Sequence, residues 1–264
     1  MTRALLLCSS ILSLVFGLPA QIADKENLKV ISEFGQAPFY FEQNRGQANL
    51  EALYVGRGPH FNVVLTRSGA AISRDNQVIS MQLVAANRDV QLVAELPTEG
   101  VSNYYLGSHK ITGIQHYTRV RGRQIFPGID IIYYGGAELE YDLVLHPAAD
   151  PAVIRLRFEG AGRPEISPSG DLLLRTGIGE LRQHRPQVWQ DRGRQKRSIE
   201  CRYEVGSGGE VGLVLGSYDH SAEITIDPIL SFSTYLGGNS IDFINGIAVD
   251  SSGDAYIPTN STSG

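Results

Sequence analysis

The stretch Leu139-Glu140-Tyr141-Asp142 sets two carboxylates two residues apart. On a strand, side chains at that spacing point the same way, about 6.5–7 Å apart. That overlaps the gap at which an acid and a base flank the sugar in inverting glycoside hydrolysis. A plainer role follows from the residues downstream. Arg155 and Arg157 are also two apart, and a hairpin closing through 146–150 sets Asp142 opposite Arg155 and Glu140 opposite Arg157. Opposite charges across a ladder stabilise it, and an arginine neighbour lowers a carboxylate pKa and spoils a general acid. Two cross-strand ion pairs are therefore expected. The alternative is a carbohydrate-active site or lectin-like module using Glu140, Asp142, Tyr133 and Tyr141. Alternation already turns Tyr141 away from both carboxylates.

The other reactive residue types lack the spacing their chemistry needs. Six histidines (60, 109, 116, 146, 184 and 220) show no H-E-x-x-H pattern, and no cysteine pair accompanies them. Asp250-Ser251-Ser252-Gly253-Asp254 lacks the alternating ligands and closing glutamate of a calcium loop and reads as a hairpin turn. Cys201 shares a face with Ile199, Tyr203 and Val205, which predicts a buried, inert thiol. No serine occupies a G-x-S-x-G elbow, and Gly206-Ser207-Gly208-Gly209 lacks the lysine of a phosphate loop. The basic run from Arg182 to Arg202 is read as a solvated hairpin around Gly193, in preference to a patch for anionic polysaccharide or lipid headgroups. Trp189, within it, is read as a core residue before a sugar platform. No catalytic, cofactor-binding or metal-binding residue is assigned, and no cofactor is implied.

What must position such groups is a chain of 264 residues with 42% hydrophobic and 19% charged side chains, an ordinary globular composition. Met1-Thr2-Arg3, the nearly uncharged run Ala4–Leu18 and the small residue Ala20 have the form of a secretory signal peptide over residues 1–20. An uncleaved anchor is the alternative. Without Arg3 the mature chain carries 22 basic against 28 acidic side chains, a net charge of −6, which argues against nucleic acid as a partner. One cysteine then remains, so no internal disulfide can form, as suits an exported bacterial protein better than a small animal ectodomain. No later stretch is apolar enough to cross a bilayer as a helix.

Beyond a linker over residues 21–37, period-two alternation dominates. Ile79, Met81, Leu83 and Ala85 share one face; so do Leu139, Tyr141, Leu143 and Leu145; and so do Ile199, Cys201, Tyr203 and Val205 in a strand over 198–205. Turn chemistry separates them at Arg67-Ser68-Gly69, Asp75-Asn76, Gly135-Gly136, Pro168-Ser169-Gly170-Asp171 and Asp191-Arg192-Gly193. Short strands punctuated this regularly predict an all-β fold, a multi-stranded antiparallel, sandwich-like domain over residues 38–228. Asp227-Pro228 is the expected boundary. After it the composition shifts to Ser, Gly, Asn and Tyr.

The tail, residues 229–264, resembles the SBBP ("seven-bladed beta-propeller") repeat of secreted bacterial proteins. The resemblance rests on Ser233-Thr234-Tyr235-Leu236-Gly237-Gly238, Gly246-Ile247-Ala248-Val249-Asp250 and Ser251-Ser252-Gly253-Asp254-Ala255-Tyr256. The body resembles the uncharacterised domain that precedes such repeats in large exported proteins. Its carrying residues are Phe41-Glu42-Gln43-Asn44-Arg45-Gly46-Gln47, Ser102-Asn103-Tyr104-Tyr105-Leu106-Gly107, Phe126-Pro127-Gly128-Ile129-Asp130 and Tyr133-Tyr134-Gly135. Leu139-Glu140-Tyr141-Asp142, Gly179-Glu180-Leu181-Arg182-Gln183 and Ile226-Asp227-Pro228 complete the set. The resemblance implies location and architecture and carries no catalytic residues. A single partial blade needs neighbours to bury its faces, so it implies a propeller array of which one repeat is present. The expected function is a secreted or cell-envelope, non-enzymatic scaffold that binds extracellular polysaccharide or protein.

Overall fold

The computed structural model describes residues 39–233 except 59–60, 75–76, 137–138, 178 and 193–194, and then strand backbone at 242–244, 248–249, 255–256 and 259–261. The proposed signal peptide, the linker and most of the tail's turns, with the 250–254 segment, lie outside the described residues.

The chain begins with β1 (Phe41–Gln43), β2 (Tyr54–Arg57), β3 (Asn62–Thr66), β4 (Gly69–Arg74) and β5 (Gln77–Leu83). A long hairpin of β6 (Leu92–Leu106) and β7 (His109–Phe126) follows, then β8 (Ile129–Tyr134), β9 (Glu140–Leu145) and β10 (Leu156–Glu159). The last group is β11 (Glu165–Ile166), β12 (Leu172–Thr176), β13 (Gly179–Gln183), β14 (Gln187–Arg192), β15 (Gln195–Ser198), β16 (Cys201–Val205), β17 (Val211–Leu215), β18 (Ile224–Asp227) and β19 (Leu230–Ser233). In the tail, β20 (Asp242–Ile244) pairs with β23 (Thr259–Ser261), and β21 (Ala248–Val249) with β22 (Ala255–Tyr256). No helix among the described residues is long and apolar enough to cross a membrane.

The fold is all-β and antiparallel. One sheet runs β15-β14-β18-β9-β8-β7-β1-β2-β3-β4-β5-β10-β17-β16, with β6 added on β7. The two strands at opposite ends of that path, β15 and β16, are consecutive in the chain and joined by Ile199 and Glu200 alone. From Ser198 to Cys201 is three residue steps, at most about 11 Å, so the sheet must roll until its ends meet. The link is pinned from both sides: Ile199 N donates to Val188 O (2.8 Å) and Gly216 N donates to Glu200 O (2.8 Å). Opposite halves of the roll thus face each other across one core, which makes the domain sandwich-like. Ile79 and Met81 of β5 meet Tyr141 of β9 around a small apolar void.

Alternation places the core residues as expected, with two instructive departures. Leu139, Tyr141, Leu143 and Leu145 are all buried, as are Ile79, Met81 and Leu83. Ala85 has left the strand with φ +57° and is exposed. The strand expected over 198–205 is in fact two, β15 and β16, on different ladders. Ile199, Cys201 and Tyr203 nonetheless stay buried. Alternation reports the face a residue points to, not the neighbour its backbone bonds to, so a change of ladder leaves no trace in it.

A second sheet, β11-β12-β13-β19, adds Leu172, Leu174 and Leu181 to the same core. Its last strand comes from the start of the tail: Leu230 pairs with Gln183 and Phe232 with Leu181.

Candidate functional site

The carboxylates that open the sequence argument lie on the outer face of β9, but the expected hairpin does not form. Both sides of β9 are occupied, by β8 (Glu140 opposite Tyr134, Asp142 opposite Ile132) and by β18 (Leu143 opposite Ile226). After β9 the chain makes a 3-10 turn at Pro151–Val153, capped by Asp150, whose Oδ1 accepts from Ala152 N (2.9 Å). That turn carries β10 away to pair with β5 and β17. Arg157 consequently pairs with Glu210 on the far side of the sheet, and Arg155 donates to Ile154 O (2.8 Å). The ion pairs Asp142–Arg155 and Glu140–Arg157 do not exist. A strand with two filled edges has no room for a third neighbour, and β8 and β18 were hidden from a reading of local spacing.

Asp142 instead accepts a hydrogen bond from the Tyr134 hydroxyl (2.8 Å). Burial raises its pKa, and the nearby Asp227 and Glu140 carboxylates add to the rise while Lys196 opposes it. Asp227, raised by burial, feels the same lysine. Lys196 Nζ also sits 4.0 Å above the Trp189 ring. That indole is half-buried on the outer face and not in the core, because its neighbours Val188 and Gln190 take the inward positions. Tyr133 and Tyr141, named with the carboxylates in the carbohydrate-active alternative, lie in the core with ring centroids 6.4 Å apart. They cannot share a site with Glu140, which is exposed on the other face.

A second polar cluster escaped sequence reasoning because its members lie up to 76 positions apart. Glu42 on β1 is 7% exposed. It accepts from Ser102 Oγ (2.5 Å) and Tyr104 OH (2.6 Å). Ser102 Oγ is also 2.7 Å from His116 Nε2, Arg57 donates to Tyr104 OH (2.7 Å), and Tyr40 stacks on the imidazole. Burial, reinforced by the Glu42 carboxylate, raises the Tyr104 pKa. Serine, histidine and glutamate in one place invite comparison with a nucleophilic triad. The geometry refuses it. Such a relay needs the acid on the ring nitrogen remote from serine, whereas Glu42 Oε1 is 3.3 Å from Nε2, the nitrogen that already faces Ser102. The cluster fastens the turn-proximal part of the β6–β7 hairpin to β1.

The remaining sequence motifs behave alike. Asn44 accepts at Oδ1 from Gly46 N (3.0 Å) and Ala48 N (3.2 Å), and donates from Nδ2 to Asn49 O (2.8 Å) and Ala52 O (2.9 Å). Asp130, 4% exposed, accepts from Gln124 N (2.9 Å) and Arg121 Nη1 (3.4 Å), with His146 Nε2 at 3.4 Å. Gly135 lies so close to Phe39 that a Cβ there would come 2.5 Å from its carbonyl oxygen. Gln183, fully buried, donates to Tyr141 OH (2.7 Å). The motifs therefore satisfy one another: the first meets the second through Glu42, Tyr134 meets Asp142, and Tyr141 meets Gln183.

Residues 41–229, most of the chain, match the family described as Domain of unknown function (DUF7948). The chain belongs to that family. Directly after the DUF7948 domain, residues 232–263 match the Beta-propeller repeat, SBBP. No curated protein and no solved structure matches the chain. The family boundary falls within the link between β18 and β19, so β19, paired with β13, straddles the start of the repeat.

The other sequence candidates are dispersed across the DUF7948 domain. Cys201 is buried and its thiol is pushed up to about 11 by burial, with Arg185 opposing. Of the basic run, Arg182 pairs with Glu180 and Asp171, and Arg185 Nε donates to Cys201 O (2.9 Å). The β14–β15 hairpin forms, with Asp191 opposite Lys196; Gly193 at its tip lies outside the described residues, as does His60. No group of His, Cys, Asp or Glu among the described residues is arranged to hold a metal ion.

Proposed function

We propose that this protein is an exported, non-enzymatic scaffold whose DUF7948 domain is rigidly built to stand at the head of propeller repeats and to bind extracellular polysaccharide or protein. The observation that carries this reading is the mutual satisfaction of the motif side chains. Glu42, Asp142 and Gln183 bond to tyrosines of other motifs, and Asn44 and Asp130 to backbone close by in the chain. A catalytic acid, base or nucleophile must instead present its reactive atom to a substrate. The leader-like first twenty residues support export, and the propeller repeat supports a binding role.

The test has two arms. Expression of the full chain in a bacterial host should give a processed form, shortened near Ala20, outside the cytoplasm. The purified protein, incubated with a panel of polysaccharides, should bind without releasing reducing ends. Sugar turnover that is abolished by Glu140→Gln would overturn the reading.

A further inference from the structure

The loop after β1 holds a feature that the pairing of motifs does not use. The Asn44 bonds and the Gln47 side chain, which donates to Gln43 O (2.9 Å), fold residues 43–53 tightly. Gly46 at φ +109° takes a conformation that a side chain would strain. Arg45 rides on this loop, exposed, and has no ion pair among the described residues. A second exposed arginine, Arg67, rides on the β3–β4 turn, which is fixed by Ser68 N donating to Thr66 Oγ1 (3.2 Å). Both arginines line one cleft of about 520 Å³, with the amides Gln43 and Gln91 and an apolar wall that includes Leu53 and Val90. No carboxylate lines it.

Two guanidinium groups lining one concavity, with no carboxylate among the residues that line it, favour an anion there. We propose that this cleft binds the carboxylate of an acidic sugar, a uronate unit of a polysaccharide. Guanidinium matches a carboxylate through two parallel bonds. The two amides can both donate and accept, as sugar hydroxyls require, and the volume lies in the range of small-ligand pockets, roughly 300–1,000 Å³. An acidic peptide fits less well. Extended peptides dock by adding a strand to a free edge, and β1, β2 and β3 are each flanked on both sides. The start of β6, the nearest edge, is covered by the Tyr54 hydroxyl, which donates to Leu92 O (3.3 Å) and accepts from Ala94 N (3.2 Å).

This inference names a ligand and a place for the binding role proposed above, and rests on that role. Titration calorimetry of the full mature chain with trigalacturonate tests it, alongside the methyl-esterified trimer and an acidic hexapeptide. Trigalacturonate should bind, the ester should not, and Arg45→Gln and Arg67→Gln should each weaken binding about tenfold or more. Arg202→Gln, on the exposed face of β16, should leave it unchanged. Both cleft arginines are exposed and have no ion pair among the described residues, so thermal melts of these variants should coincide with the parent. Binding that survives both substitutions, or an ester that binds equally, would overturn the cleft assignment while leaving the scaffold role standing. The peptide binding in place of the sugar would overturn the ligand class. Cleavage of the trimer would overturn the non-enzymatic role itself.

Discussion

The bond between Tyr141 and Gln183 joins the rolled sheet to the small one, and its removal gives a quantitative test of how the two are held. Gln183 is fully buried. Its Nε2 donates to Tyr141 OH (2.7 Å), while its Oε1 has no partner among the described residues. Tyr141→Phe keeps the ring and its packing but takes from the buried amide its bond to Tyr141 and leaves it only the neighbouring Tyr203 hydroxyl, which costs about 1–3 kcal/mol. For a domain of this size that is a fall in Tm of about 2–12 °C. Gln183→Leu removes the orphaned oxygen along with the donor, so its cost should be smaller. The double variant replaces a half-satisfied polar pair by apolar surface of similar shape, which is close to neutral. Urea denaturation of the four proteins gives the coupling energy directly. The expected sign is clear: the double variant should be more stable than Tyr141→Phe alone. Additive losses, or a Tyr141→Phe variant indistinguishable from the parent, would refute the argument that this bond holds a buried amide.

Three further outcomes follow from the geometry. Leu143→Ala, at a fully buried position, should cost about 2–5 kcal/mol, and Glu140→Gln, three residues away on the exposed face, should stay within about 0.5 kcal/mol in the same denaturation assay. Asp142 has its pKa raised by folding, so its contribution to stability is full below the unfolded value and is lost as pH rises through the folded one. Asp142→Asn should therefore raise Tm at neutral pH, with the gain vanishing under acid conditions where both states are protonated; a gain that grows toward acid would reverse the sign. Ending the chain after Ser233 should leave the melt of the domain unchanged, whereas ending it after Ile229 removes β19 from β13 and should lower Tm, so equal melts would show that the pairing contributes nothing.

The class of fold was legible because it depends on local order. The alternation of Leu139, Tyr141, Leu143 and Leu145 fixes a strand and its inward face with no knowledge of neighbours. Its partners were not legible: β9 lies between β8 and β18, and β18 is contributed from some eighty residues downstream. The nearby Arg155 and Arg157 offered charge in the right order and lay on the wrong strand. The Glu42 cluster was invisible for the same reason, since its parts come from β1, β6 and β7. Yet the segments holding Glu42 and Ser102 both stood out as motifs before their meeting was known. What the sequence lacked was the ladder order that makes neighbours of them. Trp189 was misplaced by a rule about residue type, where the alternation of Val188 and Gln190 around it pointed outward.

The junction at Ile199 and Glu200 bears on how the chain reaches this state as it is made. Residues up to Glu159 can already lay down β5 with β10 at one flank and β8 with β9 at the other. Each flank then ends in bare backbone, since β18 and β17, which cover β9 and β10, lie further along. Unpaired strand edges invite pairing with another molecule. A chain halted before Val211 would therefore carry two adhesive borders at once; β17 then covers β10, and β18 covers β9. Polypeptides cut short within this stretch should form aggregates, and successful maturation depends on holding the two borders apart from other chains until the last strands arrive.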